Sequence, residues 1–127
     1  MKNIIITALF IVTLTLISCK KNGVGGESEI SVSVKHHDRL IPGATIYIKY
    51  GAKEFPGSDV SKYDDYKVSG TTGHGKGHTH FQELLKGDYF LYATGYDSAI
   101  AMPVTGGISV EVKSNYEHID VTFPVTE

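Results

Sequence analysis

GHTHFQELLKGDYFLYATGY, residues 77–96, reads as strand, turn, strand, and the fold follows from it. Phe81, Leu84, Gly87 and Tyr89 stand in an F-x-x-L-x-x-G-x-Y spacing. Two apolar anchors precede a turn at Gly87-Asp88, and Tyr89 opens a run whose apolar positions recur at every second residue, the period of a strand. Tyr89, Leu91 and Ala93 are therefore expected to face inward, with Phe90, Tyr92 and Thr94 on the other side. The spacing sets register rather than chemistry.

The sequence on either side obeys the same period. Ile30, Val32 and Val34 alternate with serines between Glu29 and Lys35, the pattern of a half-buried strand. His36-His37-Asp38-Arg39 reads as a polar turn, and Ala44, Ile46, Ile48 and Tyr50 share one face of a second strand. Beyond the opening stretch, Ala99 to Val104 forms a short strand whose Pro103 favours an edge. Gly106-Gly107 is expected to make a tight hairpin into Ile108–Lys113. Tyr116 to Val125 closes the chain with Ile119, Val121 and Phe123 buried. About seven short strands and little helix predict an all-β fold, a single antiparallel β-sandwich over residues 29–127.

The same residues resemble the carboxypeptidase regulatory-like family of transthyretin-like or Ig-like β-sandwiches. Leu40, Pro42, Gly43, Ala44, Thr72, Gly77, Phe81, Leu84, Gly87, Tyr89, Gly95 and Tyr96 carry the likeness, which spans most of Glu29 to Asp97. The chain departs from the family pattern in a long insertion between Gly51 and Thr71 and in a histidine-rich turn. Hydrolases of the transthyretin-like group need histidine and arginine completed by Tyr-Arg-Gly-Ser. Here the last residues are Phe123-Pro124-Val125-Thr126-Glu127 and the single arginine is Arg39, so no such activity is expected.

The first eighteen residues carry Lys2 and then an apolar run from Ile4 to Ile17, an export signal too short to span a bilayer as a helix. Leu16-Ile17-Ser18-Cys19 resembles a bacterial lipobox, which implies cleavage before Cys19 and acylation of that cysteine. It is the only cysteine of the chain, so the competing reading is an unpaired thiol or an intermolecular disulfide. Several acyl chains give the multiple signals that stable membrane anchoring requires. Residues 19–28, polar and glycine-rich, are expected to be a flexible tether. Lys20 after the cysteine implies sorting to the outer membrane, on its periplasmic face. Loss of Lys2 with the signal takes the formal charge from −2 to about −3 with no basic stripe, which disfavours nucleic acid.

Three stretches could carry chemistry. His78 and His80 share one face of a strand, with His74 nearby on a glycine-rich turn, a set that could bind zinc or copper; the alternative is a solvated strand face, with no cofactor. Tyr47, Phe90 and Tyr92 face outward and could form a platform for sugar or peptide, or lie under a loop. In the insertion, Phe55, Tyr63 and Tyr66 could cap the sandwich, a turn of helix is expected at Asp59–Tyr63, and Asp59, Asp64 and Asp65 lack calcium-loop spacing. No serine sits in a Gly-x-Ser-x-Gly elbow and no carboxylate pair has glycosidase geometry. The sequence thus points to a non-catalytic envelope lipoprotein with a protein or glycan partner, and alternatively to a periplasmic metal binder.

Overall fold

A computed structural model describes residues 23–127; the expected signal, Cys19 and the start of the expected tether lie outside the described residues. The chain is nearly all β. Eight strands follow in order: β1 Val24–His36, β2 Arg39–Leu40, β3 Thr45–Tyr50, β4 Asp65–Val68, β5 His78–Leu84, β6 Gly87–Asp97, β7 Met102–Val112 and β8 His118–Pro124. Two sheets result. In the first, β1 pairs antiparallel with β2 and β5 along one edge and parallel with β8 along the other. The second has the order β4-β3-β6-β7, all antiparallel.

Alternation explains how the sheets face one another. Ile30, Val32 and Val34 of β1, Ile46 and Ile48 of β3, Leu91 and Ala93 of β6, Val104 of β7 and Phe123 of β8 are each fully buried in one shared core. The F-x-x-L spacing has its cause in a β-bulge. Ile30 pairs with Phe81 while Ser28 pairs with Leu84, so three residues of β5 oppose two of β1, and Glu83 takes up the extra residue at φ 58°. Both apolar anchors thereby point inward. The Tyr89 hydroxyl, at the head of β6, donates toward the Leu85 and Gly23 carbonyl oxygens at 2.5 and 3.0 Å. Burial pushes that phenol up to about 12.

Three expectations are corrected. β1 begins at Val24 rather than Glu29, because Glu27 and Leu85 amides bond the Asn115 and Gly23 carbonyls and draw residues of the expected tether into the sheet. Secondly, the sandwich is not wholly antiparallel, since β8 runs beside β1 in the same direction. Thirdly, Gly106-Gly107 is no hairpin. Both lie inside β7, where a Cβ on Gly106 would stand 2.3 Å from the Pro124 carbonyl oxygen and one on Gly107 would meet the Phe90 ring at 2.7 Å. These glycines admit close neighbours, and the real turn falls at Ser98–Ala101, with Ala101 at φ 52°.

After β8 the chain crosses between the sheets. The Val125 amide bonds the Lys35 carbonyl of the first sheet at 2.9 Å, while Thr126 and Thr105 of the second exchange two backbone bonds of 2.8 Å. The crossing brings the last residues over the ends of β1 and β6.

Candidate functional site

Two of the three histidines singled out in the sequence lie on the solvent face of the first sheet. His78 and His80 project from β5 on the same side, as expected, but each has a partner on β1: His78 Nδ1 lies 2.7 Å from Ser33 Oγ and His80 Nδ1 lies 2.9 Å from Glu29 Oε1. A hydrogen bond from Gln82 (2.8 Å), then those with His80, hold the Glu29 carboxyl below its usual range. His74 sits apart in a 3₁₀ turn at Gly73–Gly75. Among the described residues, no group of three His, Cys, Asp or Glu side chains is set to hold a metal ion.

The outward aromatics of the second sheet are covered. Phe90 and Tyr92 keep only 7% and 8% of their surface exposed, because the insertion folds back over them. Phe55 packs 5.8 Å from Phe90 and 5.4 Å from Tyr92, and Tyr63 stacks on Tyr92 at 5.8 Å. Tyr47 lies within 6.2 Å of Tyr63, Tyr66 and Tyr92. Thus a small second apolar cluster stands where a flat platform was one of the two expectations. The loop is held by Tyr63 Oη donating to the Gly57 carbonyl at 2.9 Å and by the 3₁₀ turn Val60–Lys62, capped by Asp59 accepting from the Ser61 amide. Asp64 accepts from the Tyr50 amide at 2.8 Å. The aspartates of the insertion are therefore engaged separately by the backbone.

A different cluster is the best-built polar site. Where β1, β6 and the post-β8 segment end together, His36 is buried (4% exposed) between two carboxylates. Its Nδ1 lies 2.8 Å from Asp97 Oδ2, itself buried, and its Nε2 lies 2.7 Å from Glu127 Oε2, which is half exposed. The other Asp97 oxygen accepts from the Ala99 amide at 2.9 Å and faces Arg39 Nη1 at 3.6 Å. The His37 ring lies 4.4 Å from that of His36. A cleft of about 530 Å³ opens over this group, walled further by Asp38 and Ile100.

Ionised carboxylates only accept hydrogen bonds, so an imidazole that meets one at each nitrogen can satisfy both only as the cation. Hydrogen bonding to Asp97, and then to Glu127, accordingly raises the His36 pKa above its ordinary 6.5, against the opposing effect of burial. Reciprocally, the bond to His36 lowers Asp97, and its own backbone amide followed by His36 lowers Glu127. The sign follows by linkage. Stability from His36 is present in full below pH 6.5 and is lost as pH rises through the raised value. That from the carboxylates is present above their ordinary 3.8 and 4.5 and is lost as pH falls through the lowered ones. Wild-type melting temperature should therefore be highest between about pH 4.5 and 6.5 and decline above that interval. His36→Gln should flatten the alkaline limb in the same calorimetric series; an unchanged limb would remove the triad as its cause.

Sequence reading placed His36 in a turn, yet one signal was available. His36 continues the inward register of Ile30, Val32 and Val34, and Asp97 that of Leu91, Ala93 and Gly95, so both polar side chains fall on core-facing positions at strand ends.

No protein-family model matches the sequence. No curated protein matches it either. Among solved structures, the chain is similar to a crystal structure of a variant of BcpA, the major pilin subunit of Bacillus cereus, with a TM-score of 0.53 at 13% identity. The likeness covers 80% of this chain and 30% of that one, so it spans a minor part of the pilin, and it is a likeness of fold: the chain is a β-sandwich.

Proposed function

We propose that this chain is a lipid-anchored, non-catalytic envelope module, resembling carboxypeptidase regulatory-like sandwiches, that presents the loops of one pole to a protein or glycan partner. The observation that carries the reading is the polarity of β1. The strand starts five residues after Cys19 in sequence and ends at the His36 cleft. Cys19 is separated from Val24 by four residues, a reach of no more than about 18 Å. The thirteen residues of β1 then span roughly 40 Å. A domain acylated at Cys19 would thus sit close to the bilayer with its cleft at the far pole. Exposed Tyr96, Ile100 and Met102 flank that pole at the β6–β7 turn, where a partner would meet apolar surface beside charge.

Attachment is to the outer membrane, on its periplasmic side; the resemblance of Leu16-Ile17-Ser18-Cys19 to a lipobox, followed by Lys20, supports this. Two measurements test it in the native bacterium. Wild-type protein should incorporate labelled palmitate and sediment with outer membranes, and Cys19→Ala should appear in the soluble fraction. A photo-crosslinking residue at Ile100 should give a discrete protein or glycan adduct that the same residue at Lys113 does not. Soluble wild-type protein would sink the anchor, and identical adducts from both positions would sink the polar presentation.

A further inference from the structure

The His36 cleft contains its own ligand. The imidazole is held from behind by buried Asp97, which fixes the ring, and its Nε2 projects toward the cleft, where Glu127 Oε2 lies 2.7 Å from it. The two carboxylates differ in standing. Asp97 is 4% exposed and has the Ala99 amide on its second oxygen, whereas Glu127 is 50% exposed and comes from the segment beyond β8. Arg39 is 61% exposed, and its contact with Asp97, at 3.6 Å, exceeds hydrogen-bonding distance. Among the described residues its guanidinium makes no hydrogen bond, which leaves donors for a second acceptor. A cleft of about 530 Å³ is far larger than the one carboxylate that occupies its floor.

We infer that this cleft is a carboxylate-binding site closed by Glu127, and that a partner's acidic side chain or chain terminus binds by taking Glu127's place on His36 Nε2, with Arg39 on its flank. The inference rests on the interaction-module reading and gives that module's partner a chemistry. The exchange is favoured because one charged acceptor replaces another, so Nε2 of the buried imidazolium keeps a partner while Asp97 stays on Nδ1. The groups facing His36 are Asp97 from β6, Glu127 from the post-β8 segment, and Arg39, His37 and Asp38 from β2 and its turn. Asp38 and Asp97 offset the cations of Arg39 and His36. With His36 protonated these four charges balance, and loss of its proton leaves the cleft net negative, so binding of an acid should fade as that proton is lost.

An internal occupant weakens external binding by the fraction of time the site is free. Glu127→Ala should therefore tighten the binding of a blocked glutamate, N-acetyl-glutamate α-amide, by about tenfold or more. The titration uses the full chain in lipid nanodiscs at pH 6, followed through the His36 imidazole nitrogens by NMR. Blocked glutamine is the uncharged control and should not shift His36. Glu127→Gln, which keeps the side-chain length and guards against loosening of the last residues, should fall between the two. Arg39→Ala in the Glu127→Ala background should reverse part of the gain, and raising the pH through the His36 titration should abolish it. Equal affinity in wild type and both Glu127 variants, or equal shifts from glutamine and glutamate, would overturn the site while leaving the anchored module untouched.

Discussion

Tyr89→Ala is expected to cost the domain about 3–5 kcal/mol and to lower its melting temperature by roughly 15–30 °C. Tyr89 is 1% exposed and stands where β6 leaves the turn, with its ring edge-on to Tyr50 at 5.8 Å. Truncation removes a large buried ring and opens a cavity in the core that Leu84 also enters. The hydroxyl is a separate, smaller contribution. Tyr89→Phe keeps the ring and leaves the Leu85 carbonyl without its 2.5 Å partner, while the Gly23 carbonyl still accepts from the Leu85 amide. That change should cost only about 1–2 kcal/mol. Denaturant melts of the two variants side by side decide the matter. Similar losses in both would mean that the hydrogen bond, and not the packing, anchors this end of the sandwich.

The second large effect falls on a residue with no side chain. Gly106→Ala would place a methyl group 2.3 Å from the Pro124 carbonyl oxygen and 3.1 Å from the Val125 Cα, both of them backbone. Neither can rotate away, so β7 and the post-β8 segment must separate. The expected loss includes the paired backbone bonds of Thr105 and Thr126 and part of the burial of Val125, which is 1% exposed. Together these amount to about 3–4 kcal/mol. The variant should also lose protection against amide exchange at Thr105 and Thr126 ahead of the core strands, and its His36 should titrate lower because Glu127 has been carried off. A Gly106→Ala protein as stable as wild type, with His36 unmoved, would show that the crossing does not couple to the triad.

These two residues also mark what could be read from the chain without coordinates. Tyr89 was legible because a strand writes its inward face into every second position, and the F-x-x-L spacing even encoded the bulge as an odd step between two inward anchors. Gly106 was misread for a physical reason. A glycine pair permits a tight turn and permits close approach of another backbone, and local sequence does not distinguish these uses when the approaching chain, Pro124-Val125, lies eighteen residues away. The direction of β8 was hidden for a related reason, since alternation records which face is buried but not which neighbour lies alongside. Phe90 and Tyr92 were placed on the correct side of their strand, yet their burial depends on where a long insertion settles. For His36 and Asp97 the register was visible, but their pairing across sixty-one positions was not.

The parallel pairing of β1 with β8 bears on how the domain carries load. Seven residue pairs, from Glu29↔His118 to Lys35↔Pro124, join the strand that follows Cys19 in sequence to the strand that delivers Glu127 to the cleft. A pull applied at the far pole to the segment after β8, against an anchor preceding β1 at the near one, would draw β1 and β8 in opposite directions along their common axis. The rungs between them then share the force in shear and must yield together, whereas a hairpin pulled from its open end gives way one rung at a time. Were the domain tethered through Cys19 as proposed, this topology would suit it to tension between the membrane and a partner held by the segment after β8.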